Sequence, residues 1–163
     1  MSYARSEPND FKALAPDAYD IVSTLGQAAA KAGIDKQLLE LVKLRASQIN
    51  GCAFCVQFHI LQGESLDISA DKLNLVVVWR EAPLFSSRER AALAWTEALT
   101  LISETHAPDD VYEELQKHFS EKEIVDLTWA VCAINLWNRV AISFRAVPGH
   151  YKPAKAAATS SSS

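Results

Sequence analysis

Asn50-Gly51-Cys52-Ala53-Phe54-Cys55-Val56-Gln57-Phe58-His59 decides how this chain is read, together with Glu40 upstream. Asn and Gly both tolerate a left-handed backbone, so the pair marks the end of one helix and the next begins at or near Cys52. On that second helix Cys52, Cys55 and His59 fall at i, i+3 and i+7, which places them on one stripe. Two thiols able to close a disulfide beside an imidazole able to move a proton form a candidate dithiol redox site. The short Asn-Gly turn also makes the flanking helices an antiparallel hairpin. At about 1.5 Å per residue, Glu40 lies ~15 Å back from the turn and His59 ~12 Å on from it, so the two side chains reach nearly the same level.

Outward from this hairpin the chain reads as further helices. Apolar spacing from Phe11 through Tyr19, Val22 and Leu25 predicts a first helix, with Pro16 acceptable in a first turn and Gly33 as its stop. Asp35 is the expected N-cap of the helix from Lys36 to about Ile49, with Leu38, Leu41, Val42 and Ile49 facing inward. The cysteine helix is expected to run to about Gln62 and stop at Gly63. Ser69 is positioned to cap a fourth helix with Leu73, Val76, Val77 and Trp79 as its inner face. Ser86-Ser87-Arg88-Glu89 and Ser120-Glu121-Lys122-Glu123 are capping boxes, opening helices to about Ile102 and Phe144, with a shorter helix from Asp109 to about His118 between them.

The last of these is apolar on nearly every face (Ile124, Val125, Leu127, Trp129, Val131, Ile134, Leu136, Trp137, Val140), as expected of a helix central to the core or shared with another subunit. Cys132 within it reads as a small buried hydrophobe. No clear strand is present. The fold class is all-α, a compact subunit of six to seven helices. Residues 1–150 form one domain, and the Ala- and Ser-rich 151–163 reads as a disordered tail.

Composition removes several function classes. The chain has 163 residues, is 49% apolar and carries a formal net charge of -4, enough to bury one substantial core. Lys and Arg are interspersed with Asp and Glu, which argues against a nucleic-acid surface. Residues 1–8 lack the apolar segment of a signal peptide, and no run is long enough to span a bilayer. Three cysteines, only two of them close in sequence, do not make a secreted disulfide framework; a reducing cytoplasm fits better.

The reactive form of cysteine is the thiolate, favoured here by a helix N-terminus at Cys52 and by His59 one turn from Cys55. A thiolate that attacks a peroxide O–O bond becomes a sulfenic acid, and a second thiol nearby converts that to a disulfide and water. The competing readings are a non-catalytic redox sensor or interaction module, and a zinc site built from the two cysteines, His59 and Glu40. Structural zinc sites often bring a second Cys pair or a His pair, and the chain has no second Cys-x-x-Cys. A thioredoxin-type site needs a βαβ context, also missing.

The run from Glu40 to His59 resembles the core of the alkylhydroperoxidase D-like (AhpD-like) proteins of the carboxymuconolactone decarboxylase superfamily, with the spacing Glu-x11-Cys-x2-Cys-x3-His. The likeness continues through Gly63-Glu64, Trp79 to Ser86, Glu89 to Leu93 and Ile134 to Arg139. It implies an all-helical subunit that forms a homo-oligomer, a trimer or hexamer, and a thiol peroxidase that reduces organic hydroperoxides. By the same resemblance Cys55 is the attacking thiol, Cys52 the resolving thiol, and Glu40 with His59 the proton relay. No metal or bound cofactor is implied; turnover ends with an external dithiol, a reductant protein or a lipoyl-type donor. The best-known members carry a second His between the cysteines, where this chain has Phe54. Lactone decarboxylases of the superfamily typically lack the cysteine pair, so its presence argues against decarboxylation.

Overall fold

Helix α3 (Lys36–Asn50) is the axis of the molecule, packed against α4 (Ala53–Ser65), α6 (Ser87–Thr100) and α9 (Glu121–Ser143). Its central position follows from its composition: Leu38, Leu39, Leu41, Val42, Leu44 and Ala46 are all buried, so apolar residues cover more than one face. One core cluster lies between α3, α6 and α9 and includes Leu39, Val42, Ala92, Trp95 and Leu127. A second, around Leu41, Leu44, Leu73, Val76, Trp79 and Leu93, fills the other side of α3. The computed structural model describes Arg5, residues 8–31 and residues 33–149; the expected tail at 151–163 lies outside the described residues.

The all-α expectation holds, with no strand among the described residues. Both capping boxes form, Ser86 with Glu89 and Ser120 with Glu123, and Asp35 caps α3 through the amide of Leu38. Helix boundaries differ from expectation where tertiary packing or proline intervenes. The first predicted helix is two, α1 (Pro8–Leu14) and α2 (Pro16–Lys31), because a residue before proline is pushed out of the helical region and proline suits a first helical position.

Gly63 does not end α4, which continues to Ser65. A Cβ at Gly63 would lie 2.7 Å from Cδ2 of Leu73, so this glycine serves the close approach of the next helix, α5 (Ala70–Leu75). Val76–Val78 then form a 3-10 turn that leaves Val77 half exposed, contrary to the expected inner face, while Val76 and Trp79 are buried. A short helix α7 (Ile102–Thr105) follows α6, and α8 (Asp109–Gln116) precedes α9. Cys132 is exposed, not buried: the inward faces of α9 are taken by Ile124, Leu127, Val131, Ile134 and Asn138, leaving Val125, Trp129, Cys132 and Leu136 as an outward stripe. Among the described residues no helix is long and apolar enough to cross a membrane.

Candidate dithiol site

The α3–α4 turn places the two cysteines. Gly51 adopts φ 70°, the left-handed conformation that closes α3, and Cys52 follows as the N-cap of α4. Its sulfur accepts from the backbone N–H of Cys55 at 3.3 Å, a position where the helix dipole favours negative charge. Cys52 and Cys55 are joined as a disulfide, with Cα atoms 5.3 Å apart. Both are buried, and they pack with Ala141 and Ala146 from the C-terminal end of the fold and with Phe54.

The hairpin brings Glu40 to His59 as the helical rise requires: Oε2 of Glu40 lies 2.7 Å from Nδ1 of His59, with both side chains buried. Lys43, one turn along α3, donates from Nζ to Oε1 of Glu40 at 2.7 Å. Burial pushes the Glu40 carboxyl up, but the hydrogen bonds and charges of His59 and Lys43 outweigh it and hold the group at about 2, against an ordinary 4.5. Burial pushes His59 below its ordinary 6.5, more than the bond to Glu40 raises it. At neutral pH the carboxylate is therefore ionised and the imidazole neutral. Nδ1 then carries the proton shared with Glu40, and the other ring nitrogen carries the lone pair.

Cys55 and His59 line a cavity of about 600 Å³ between α2, α4 and α9, and Cys52 does not reach it. The walls are mostly apolar: Tyr19, Phe54, Phe58 and Trp137 supply rings, while Gly26 and Ala133 leave the space open. Phe54 stacks on Phe58 with ring centroids 6.3 Å apart, and Tyr19 meets Trp137 edge-on at 5.4 Å. A cavity of this size suits an organic ligand of ten or more heavy atoms. Lys43 also lines it.

Sequence reasoning singled out Cys52, Cys55, His59 and Glu40, and the structure gathers all four at this hairpin. It missed Lys43, and it assigned no chemistry to Asn135 and Asn138. Those two asparagines hold the turn that carries the thiols. Asn50, two residues before Cys52, donates to Oδ1 of Asn138 at 2.8 Å and of Asn135 at 3.0 Å. Asn138 in turn donates to Oγ of Ser47 at 3.1 Å, and Ser47 donates to the carbonyl of Lys43 at 2.8 Å. Arg139 donates to the carbonyl of Asn135, and Trp137 faces the cavity. The signal was present in α3, where Glu40, Lys43, Ser47 and Asn50 form a polar row at helical spacing beside the buried Leu39, Val42 and Ala46.

A model of the carboxymuconolactone decarboxylase family matches residues 16–98. The uncharacterized protein YdfG of Bacillus subtilis is 32% identical over 130 residues, covering 80% of this chain and 88% of its own length. Among solved structures, a protein of unknown function from Agrobacterium tumefaciens, suggested to be the antioxidant defence protein AhpD, is 42% identical. It superposes with a TM-score of 0.86 over 91% of this chain and 99% of the other. The debrominase Bmp8 shares the fold alone, at 18% identity and a TM-score of 0.75 over 83% of this chain and 73% of its own. The chain belongs to the carboxymuconolactone decarboxylase family, and within it is an AhpD-like protein.

Proposed function

We propose that the protein is a thiol-dependent peroxidase that reduces organic hydroperoxides through a Cys52/Cys55 dithiol–disulfide cycle. The observation that carries this reading is the placement of Cys55 and His59 together on the wall of an apolar cavity, with Cys52 close enough to pair with Cys55. In the reduced protein, His59 takes the Cys55 proton while Glu40 steadies the imidazolium that forms. The Cys55 thiolate attacks the terminal oxygen of the hydroperoxide; an S–O bond forms, the O–O bond breaks, and the departing alkoxide leaves as the alcohol with the proton returned from His59. The Cys52 thiol then attacks the Cys55 sulfenic acid, forming the disulfide and releasing water.

An external dithiol, a reductant protein or a lipoyl-type donor, restores both thiols by exchange, with no bound metal or cofactor in the cycle. Such a cycle suits a reducing compartment such as the cytoplasm. The subunit works as a homo-oligomer, trimer or hexamer, a reading supported by the outward stripe of α9, where Trp129 is 53% exposed and Val125 54%. Steady-state consumption of cumene hydroperoxide with a dithiol reductant tests the function. Turnover should vanish in Cys55→Ser, and Cys52→Ser should accumulate a sulfenic acid on Cys55 that a dimedone-type probe captures. Undiminished turnover in Cys55→Ser would refute the assignment.

A further inference from the structure

We infer that Lys43 is a positioning residue of the dithiol site: by binding Oε1 of Glu40 it fixes Oε2 on His59 and holds the imidazole in its Nδ1–H form. The inference rests on His59 serving as the base for Cys55. Glu40 has two oxygens and His59 engages only one of them, at 2.7 Å. In a buried site the second oxygen needs a donor of its own, or the carboxylate would pay a desolvation penalty and be free to rotate. Lys43 Nζ occupies that oxygen at 2.7 Å, and its side chain is only 21% exposed. The Ser47 hydroxyl donates to the carbonyl of Lys43 and itself accepts from Asn138, tying this turn of α3 to α9.

Lys43 acts on charge as well as on geometry. The charged groups that act on His59 are Glu40 and Lys43 from α3, and Phe58 meets its ring edge-on; the cavity that His59 lines with Cys55 receives only uncharged side chains from α2 and α9, among them Gln27, Tyr19 and Trp137. Among the described residues lining the cavity, Lys43 is the only Lys or Arg. Burial outweighs the pull of the Glu40 carboxylate on a second proton, and the ammonium on the far oxygen acts in the same direction as burial, so Glu40 orients the ring without protonating it. The result is a three-member array, ammonium–carboxylate–imidazole, in which the lone pair remains available beside Cys55.

The test uses the reduced full-length protein with 15N-labelled histidine, in which long-range 1H–15N correlations report tautomer and titration. The chain has four histidines, and the His59 signals are identified by their loss in His59→Gln. In the wild type His59 should be neutral at pH 7 with the proton on Nδ1. Lys43→Met should raise its titration midpoint by about one pH unit and mix the tautomers, whereas Lys43→Arg should restore both. If Lys43→Met does not fold by circular dichroism, Lys43→Gln replaces it with the same expected direction. A midpoint and tautomer unchanged in either neutral variant would overturn the inference. The readout needs no peroxide, so failure of the peroxidase reading appears separately, as absent turnover in the wild type.

Discussion

Replacing Asn138 with Ala removes the buried amide that links α9 to the thiol-bearing turn, and the structure sets the size of the effect. Asn138 is fully buried, accepts from Asn50 at 2.8 Å and donates to Ser47 at 3.1 Å. Two such bonds contribute about 1 kcal/mol each, and the void left by the amide adds roughly another 1 kcal/mol. The penalty for an orphaned donor stays small, because Asn50 is only half-buried and keeps Asn135, and Ser47 keeps the carbonyl of Lys43. A loss of about 3 kcal/mol is therefore expected.

Urea unfolding followed by tryptophan fluorescence, on oxidised protein at one fixed concentration, reads this as a midpoint lowered by ~1–2 M with an unchanged slope. Combining Asn138→Ala with Asn50→Ala should show a coupling of about 1 kcal/mol, since the two singles break a shared bond. A loss below ~0.5 kcal/mol, or strictly additive singles, would refute the claim that this network holds the turn.

Two glycines should respond with opposite sign to alanine. Gly26 lies inside α2 with nothing within 4 Å of an added Cβ, so Gly26→Ala should stabilise by about 0.5–1 kcal/mol in thermal unfolding while narrowing the cavity. Gly51 sits at φ 70°, so Gly51→Ala should cost about 1 kcal/mol. Acidification should destabilise in two stages. His59 has a lowered folded pKa, so the unfolded chain takes up its proton first and stability begins to fall below about pH 6.5. Glu40 and Glu123, both held at about 2, contribute stability that is present above 4.5 and lost as pH falls from there toward 2. Unfolding free energies measured from pH 8 to pH 3 check this, and a His59→Gln variant should lack the first stage. Finally, Trp129→Glu places a charge in the exposed stripe of α9 and should shift light-scattering mass toward the monomer; an unchanged mass would remove α9 from the subunit contact.

The amino-acid sequence by itself determined the helices, most of their caps and the hairpin that carries the site. Ser86, Ser120 and Asp35 each act on a backbone amide three residues away, and Gly51 acts on its own φ angle. The stripe of Cys52, Cys55 and His59 is legible for the same reason: it depends on the pitch of one helix. Tertiary structure decided what lies between helices. Glu40 could be set level with His59 by counting residues, and Lys43 lies one turn along the same helix, but the division of the two Glu40 oxygens between His59 and Lys43 depends on how α3 packs against α4. Gly63 reads as a stop until Leu73 is brought against it.

Helix α9 shows the limit most plainly. With apolar residues on nearly every face its periodicity names no inward side, so neither the exposure of Cys132 nor the inward turn of Asn138 could be read from it. Local backbone chemistry acts within one helical turn and is written in neighbouring residues. The cavity above Cys55, and the partners that the polar row of α3 meets on α4 and α9, are set by the crossing and rotation of separate helices, which no short stretch encodes.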